Sequence, residues 1–81
     1  MTSQAPHQIV TITSRNIRTA RLEAGHTQSS LARSMEMDVR AVNRWERGGI
    51  TPSSRSLARL AVLLDRDPGW FYTDHDRSAA A

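Results

Sequence analysis

Apolar residues recur at helical spacing along most of this chain, and this periodicity constrains the fold more than any other feature of the sequence. Between Leu57 and Leu64, for example, apolar side chains recur three or four positions apart, which places them on one face of a helix. The residues expected to form a core in this way are Ile17, Ala20, Leu31, Ala32, Met35, Val42, Trp45, Leu57, Leu60, Ala61, Leu64 and Trp70. The pattern predicts an all-α fold, a compact bundle of five short helices.

Helix-capping residues separate these stretches and indicate their boundaries. Side chains suited to helix N-caps stand at Ser14, Thr27, Asp38 and Asp67, and either Ser53 or Ser54 begins the fourth helix. Gly25 and Gly48 are typical of helix ends, and Pro68 suits the first turn of a helix. The predicted helices are therefore 15–24, 28–35, 38–47, 54–64 and a final turn or helix that begins near 67.

The segment before Ser14 has no such periodicity. Residues 9–12, with the sequence IVTI, are β-branched and mostly apolar, which favours a short strand. We expect an N-terminal tail or short strand at 1–13, one helical domain at 14–73 and a C-terminal tail at 74–81.

The composition limits what such a domain can do. The 81 residues carry a net charge of +3, and all 11 cationic side chains are arginine. Arginine forms bidentate hydrogen bonds with phosphates and guanine edges, although codon usage in a GC-rich genome would also remove lysine. The chain has no cysteine, and therefore no disulfide and no thiolate metal site.

Two functional classes are not expected. The longest apolar run, Leu60–Leu64, is too short to span a bilayer, and the N-terminus lacks the features of a signal peptide. The histidines, His7, His26 and His75, are far apart in sequence, and no nucleophile, base and oxyanion site come together around them. We therefore expect no membrane association, no enzymatic activity, no cofactor and no metal site.

The third predicted helix has two contrasting faces. At about 100° per residue, one narrow stripe contains Arg40, Asn43, Arg44 and Arg47. Trp45 lies on the opposite side and is expected to anchor the helix in the core. Arginine can bond guanine O6 and N7, asparagine can bond adenine N6 and N7, and flanking Val39 could contact a thymine methyl group. The stripe could read bases in a DNA major groove, although an ordinary solvated helix face would have a similar composition.

Glu46 lies beside Val39, away from the basic stripe, where it would repel phosphates rather than bind them. No charged residue stands four positions from it on the same helix. Arg21, among the apolar residues of the first predicted helix, is the better partner. We therefore expect Arg21 and Glu46 to form a structural ion pair, half-buried between the two helices.

Residues 17–72 resemble the lambda-repressor-like, or Cro/XRE-type, helix-turn-helix family. The matching segments are IRTARLEAGHTQSSLA (17–32), MDVRAVNRWERG (37–48), TPSSRSLARLAVLL (51–64) and DPGWF (67–71). The resemblance implies that the second and third helices form the DNA-reading unit, with the third helix in the major groove and the second across it.

The resemblance also implies roles for individual residues. Base contacts are implied for Val39, Arg40, Asn43 and Arg44. Phosphate contacts are implied for Gln28, Ser29, Arg47, Thr51, Ser53 and Arg55. Gln28 is also expected to brace the third helix, and Arg21 with Glu46 corresponds to the family's buried ion pair.

Two positions depart from the family pattern. Glu36 replaces the usual glycine of the turn between the second and third helices, where a positive φ would strain a residue with a side chain. His26 replaces an apolar residue before the cap of the second helix.

These features lead us to expect a sequence-specific DNA-binding transcriptional regulator in the cytoplasm of a bacterial or phage-infected cell. A phage or prophage Cro-type repressor is the leading interpretation. The alternatives are a restriction-modification controller protein, and an antitoxin or adaptor whose primary role is to bind a protein partner.

One such bundle reads only a few base pairs, so we expect double-stranded DNA to be bound by a homodimer at an inverted repeat. The candidate dimer contacts are Ile9, Val10, Ile12, Phe71 and Tyr72. The residues of 9–12 and the aromatic pair 71–72 could instead pack on the bundle of their own chain.

Overall fold

The computed structural model of the protein describes residues 6–75, with side chains from residue 10 onward. Its elements are α1 (Pro6–Glu23), α2 (Gln28–Ser34), α3 (Val39–Arg47), α4 (Ser54–Leu63) and a 3-10 helix (Pro68–Tyr72). No strand occurs in this described part of the chain. The prediction of an all-α fold is confirmed, with a 3-10 helix in place of a fifth α-helix.

The long helix α1 supports the other elements. Both α3 and the 3-10 helix pack against it, α2 packs on α3, and the 3-10 helix also contacts α4. The pair α2 and α3, joined by a short turn, therefore lies on one side of α1, with α3 held by α1 and α2 together.

The first half of α1 differs from the sequence-based expectation. The helix begins at Pro6, a residue suited to a first helical turn, so residues 9–12 are helical and the predicted strand is wrong. Ile12, Asn16 and Ala20 stand four positions apart, and all three are buried. Burial of this continuous helical face outweighs the strand propensity of a short β-branched run.

The predicted N-cap at Ser14 is wrong for the same reason. Ser14 lies inside α1, is buried, and donates a hydrogen bond from Oγ to the Thr11 carbonyl at 2.9 Å. The structure describes only part of the two predicted tails, because residues 1–5 and 76–81 lie outside the described residues.

The other predicted caps are confirmed. The cap side chains that accept a hydrogen bond from a backbone N–H of their own helix are Thr27, Asp38, Ser53 and Asp67. Gly25 and Gly48 have φ of 80° and 81°, the left-handed conformation that glycine adopts without strain. Short helices of seven to ten residues gain most from such caps, because unpaired end groups are a large share of their backbone.

The buried core is contiguous and includes almost every residue that the apolar periodicity selected. These buried residues are Ile17, Ala20, Leu31, Ala32, Met35, Val42, Trp45, Leu57, Leu60, Ala61 and Leu64. Trp70, also expected in the core, is only half-buried at its edge, where the Arg66 guanidinium lies 4.8 Å from its ring centroid. Phe71 is fully buried instead, because the 3-10 helix turns that ring inward.

Asn16 joins the last element to the first. Its Nδ2 donates toward the carbonyl oxygens of Trp70, Phe71 and Thr73, at 3.3, 3.0 and 2.7 Å. Asn16 is buried, and the three carbonyls belong to the end of the 3-10 helix. The Trp70 carbonyl also accepts the Thr73 backbone N–H at 3.3 Å, so the Asn16 amide adds to that pairing and supplies a donor to the Phe71 and Thr73 carbonyls.

Within residues 6–75, two residues other than glycine adopt a positive φ, Glu36 at 56° and Asp65 at 55°. Glu36 lies in the turn between α2 and α3, and its φ is positive at the position where the resemblance implies glycine. A residue with a Cβ in this region of φ/ψ space carries a cost of roughly 1–2 kcal/mol.

Candidate nucleic-acid interface

Helix α3 presents one apolar face and one basic face. Val42 and Trp45 are buried on the inner side, between α1 and α2. On the outer side the side chains of Arg40, Arg44 and Arg47 are exposed, and Asn43 is half-buried. The inner anchors fix which way the helix faces, so the structure brings together the arginine stripe predicted from the sequence.

The ion pair between Arg21 and Glu46 links α1 to α3. Arg21 donates from Nε and NH2 to the two Glu46 carboxylate oxygens at 2.6 and 2.9 Å, and from NH1 to the His26 carbonyl at 2.9 Å. The side chains are only 9% and 4% exposed. Both groups are therefore removed from solvent, and Glu46 adds no negative charge to the outer face of α3.

A second set of hydrogen bonds runs from this ion pair toward the basic face. Gln28 donates from Nε2 to Glu46 Oε1 at 3.1 Å, and its Oε1 accepts from Asn43 Nδ2 at 3.4 Å. Asn43 Oδ1 in turn accepts from Arg47 NH1 at 3.5 Å. Gln28 thus stands between α2 and α3, where it braces the two helices and orients the Asn43 amide.

Asp38 holds Arg40 at the beginning of α3. The guanidinium donates from Nε to Oδ1 at 3.1 Å and from NH2 to Oδ2 at 2.8 Å, while the Arg40 backbone N–H also donates to Oδ1 at 2.8 Å. The side-chain hydrogen bonds of Arg40, and then its backbone N–H, lower the pKa of Asp38 to about 2. The carboxylate is therefore charged at neutral pH, and its stabilising effect is lost only as the pH falls through that value.

The Asp38–Arg40 contact is absent from the sequence-based account. Residues two apart do not face each other within a helix, so the usual spacing rules pass over this pair. Asp38 is the N-cap and lies outside the helical geometry, which lets its carboxylate turn toward Arg40. An acidic N-cap two positions before an arginine is the signal that could have identified it.

The segment after α3 continues the basic face. Arg44, Arg47 and the backbone of residues 48–50 line a shallow groove, and the Ile50 side chain is exposed. Thr51 is half-buried, and Arg55 is exposed in the first turn of α4. Ser53 is exposed, but its hydroxyl already accepts the Ser56 backbone N–H as the α4 cap.

Ser29 and Val39 complete the set of predicted interface residues. Ser29 is exposed in the first turn of α2, and Val39 is exposed as the first residue of α3. Their positions place them near Gln28 and Arg40, at the ends of the two helices where the arginine stripe begins.

The candidate dimer contacts differ in their exposure. Ile12 and Phe71 are core residues, because the helical α1 and the 3-10 helix turn them inward, so the expectation for these two is wrong. Val10 is half-buried, and the Ile9 side chain lies outside the described residues. Tyr72 is exposed.

Among the described residues, no group of three or more histidine, aspartate or glutamate side chains is placed to hold a metal ion. Nor does any helix in that part of the chain have the length and apolar character needed to cross a membrane.

The arrangement of these elements matches a known family. A family model described as helix-turn-helix matches residues 17–71, more than half of the chain. The chain belongs to this helix-turn-helix family. The resemblance to Cro/XRE-type proteins seen in the sequence is confirmed by this match.

Among curated helix-turn-helix proteins, the HTH-type transcriptional regulator DicA of Escherichia coli (strain K12) is similar to this chain. The two are 36% identical over 62 residues, which make up 75% of this chain and 46% of DicA. The chain therefore spans less than half the length of this relative.

A solved helix-turn-helix structure shares the fold. The crystal structure of a hypothetical transcription factor NHTF from Neisseria matches with a TM-score of 0.79 and 19% identity. The match covers 100% of this chain and 95% of that chain. At this level of identity the likeness concerns the fold alone.

Proposed function

We propose that this protein is a sequence-specific DNA-binding transcriptional regulator whose helix α3 enters the major groove. The finer form of the proposal is a Cro-type repressor of a phage or prophage, acting in the cytoplasm. Similarity to DicA, which is named as an HTH-type transcriptional regulator, supports the broader statement.

The observation that carries the proposal is the outer face of α3. Three exposed arginines and the Asn43 amide share that face, while Trp45 and the Arg21–Glu46 pair hold the opposite side in the core. Arginine and asparagine are the side chains that bond purine edges in the major groove. A rigidly anchored helix with these side chains pointing outward has the shape and the chemistry of a base reader.

Phosphate contacts would come from the residues around this face. Gln28 and Ser29 begin α2, and Arg47 is the last residue of α3. Thr51, Ser53 and Arg55 follow in the loop and the first turn of α4. Because such contacts carry no sequence information, Arg55→Ala should weaken binding to every duplex by a similar factor.

A homodimer at an inverted repeat completes the proposal. Two copies of α3 would lie about one DNA turn apart, ~34 Å, and bind two half-sites. Tyr72 is the exposed member of the aromatic segment and is the first residue to test at the dimer contact. Blocking RNA polymerase at an overlapping operator is the simplest regulatory mechanism.

The test begins with selection of bound duplexes from a randomised DNA library, followed by footprinting of the selected site. Arg44→Ala should reduce the preference for guanine at one position of each half-site by ~1–3 kcal/mol. Arg15→Ala is the matched control, since it removes the same charge from α1, where Arg15 pairs with Asp74. The measurement is the dissociation constant for the selected site and for its single-base variants at fixed salt.

Equal losses for every duplex in the Arg44→Ala variant would show that α3 contacts only the backbone. A wild-type protein that yields no preferred site, and whose binding disappears as salt rises, would contradict the proposed function itself.

A further inference from the structure

The pair between Asp38 and Arg40 leaves one edge of the guanidinium uncommitted. The two bonds to Asp38 use Nε and NH2, which form the side edge of the group. The end edge, formed by NH1 and the outward N–H of NH2, takes no part in this pair. Two parallel N–H donors on that edge match the spacing of O6 and N7 of guanine.

The carboxylate that holds Arg40 is itself fixed to the backbone. Asp38 Oδ1 accepts the Arg40 backbone N–H at 2.8 Å, as the N-cap of α3, while the same carboxylate holds the guanidinium. The orientation of the Arg40 side chain is therefore tied to the helix that is to enter the groove. A bidentate pair of this kind has the geometry in which even an exposed ion pair is effective.

The exposure of the pair shows that its role is not to stabilise the core. The Arg40 and Asp38 side chains are 81% and 53% exposed, in contrast to the buried Arg21–Glu46 pair. A carboxylate on the basic face of α3 opposes phosphate binding, since it lowers the local positive charge. A serine or an asparagine could cap α3 without adding negative charge. We therefore look for a role of the Asp38 carboxylate in recognition that these uncharged residues would not perform.

We propose that Asp38 is a specificity-determining positioning residue, which pre-orders Arg40 so that its end edge grips one guanine in each half-site. This inference rests on the proposed function, because it requires α3 to read bases. Pre-ordering matters since an unrestrained arginine must lose rotamer freedom when it binds, whereas the two hydrogen bonds to Asp38 restrict the Arg40 side chain before it meets DNA.

The test compares Asp38→Asn with the wild-type protein on a site selected from a randomised duplex library and on the three single-base variants at each position of that site. Asparagine keeps the capping oxygen but loses the bidentate carboxylate. We expect the guanine preference at one position to fall by about two- to tenfold, while affinity for non-specific duplex stays equal or rises. Asp67→Asn is the matched control, because Asp67 also caps a helix, through the Gly69 N–H, but lies on the 3-10 helix.

A double-mutant comparison separates positioning from a general structural role. In an Arg40→Ala background, Asp38→Asn should leave the base preference unchanged, because the side chain that it positions is absent. Circular dichroism and thermal melting establish that each variant keeps the α-helical fold.

Three results would contradict this inference. Unchanged guanine preference in folded Asp38→Asn, with a selected site still bound by the wild-type protein, would overturn this inference and leave the proposed function intact. A base-preference loss that persists in the Arg40→Ala background would also overturn it. Failure of the wild-type protein to select any site would reject the proposed function, and this inference with it.

Discussion

At the scale of single residues, two arginine–carboxylate pairs with similar geometry have different roles in this protein. Arg21–Glu46 and Arg40–Asp38 both join Nε and NH2 of an arginine to two carboxylate oxygens. The first pair is buried between α1 and α3, and the second is on the surface. Burial decides the difference, since removal of one buried partner leaves a charge without solvent or counter-charge.

Glu46→Ala should lower the free energy of unfolding by about 3–5 kcal/mol, because Arg21 would remain buried without its carboxylate. Urea denaturation followed by circular dichroism measures the change. Arg15→Ala provides the comparison, since its 3.8 Å contact with Asp74 is partly exposed and such a pair contributes about 0–1 kcal/mol. A loss below about 1 kcal/mol for Glu46→Ala would contradict the structural role of the pair.

The aromatic residues show where burial of a side chain can be predicted from the sequence and where it cannot. Trp45 was placed in the core by its position opposite the arginine stripe, and it is buried there. For Trp70 and Phe71, neighbours in a five-residue 3-10 helix, no helical periodicity indicates which ring turns inward. Packing against α1 and α4 makes the choice, and Phe71 is the buried one.

At the scale of elements, the turn between α2 and α3 holds conformational strain. Glu36→Gly should raise the free energy of unfolding by up to about 1 kcal/mol, because glycine adopts a φ near 56° without the Cβ cost but loses more entropy on folding. Thermal and urea unfolding measure the gain.

Two further glycine substitutions make this test specific. Asp65→Gly, at the other position with positive φ, should change stability in the same direction but less, since aspartate tolerates that region better than glutamate. Ala58→Gly, exposed within α4, should instead lose about 1 kcal/mol. Destabilisation by Glu36→Gly would show that the Glu36 side chain contributes more than its backbone strain costs.

Some helix boundaries can be predicted from the local sequence, and others cannot. The caps at Thr27, Asp38, Ser53 and Asp67 are set by side chains within three residues of the groups they satisfy, so they were predictable. The start of α1 was not, because nothing within residues 9–12 opposes a strand. Only burial of Ile12 against the rest of the bundle makes the helix continue.

At the scale of the whole molecule, the buried amide of Asn16 in α1 holds the 3-10 helix against the first element of the bundle. Asn16→Ala should lower the free energy of unfolding by about 1–3 kcal/mol, because the Phe71 and Thr73 carbonyls would lose the donor that the buried Asn16 amide supplies. Asn16→Asp should cost more, since it turns a carboxylate oxygen toward those carbonyls. Urea denaturation measures both changes.

Asn43→Ala is the matched control for Asn16, since Asn43 is half-buried on the outer face of α3. It should affect DNA selectivity and leave stability nearly unchanged. If Asn16→Ala is as stable as the wild-type protein, the Asn16 hydrogen bonds do not hold the 3-10 helix in place.

The sequence by itself determined the all-α class, most of the core, four of the caps, the strained turn and the two faces of α3. Each of these follows from residues a few positions apart, where helical spacing and capping chemistry act directly. The tertiary structure decided the start of α1, the burial of Phe71 in place of Trp70, and the three-carbonyl contact of Asn16. Asn16 and Phe71 are 55 residues apart in the chain, so their contact depends on how distant segments pack, which local patterns do not encode.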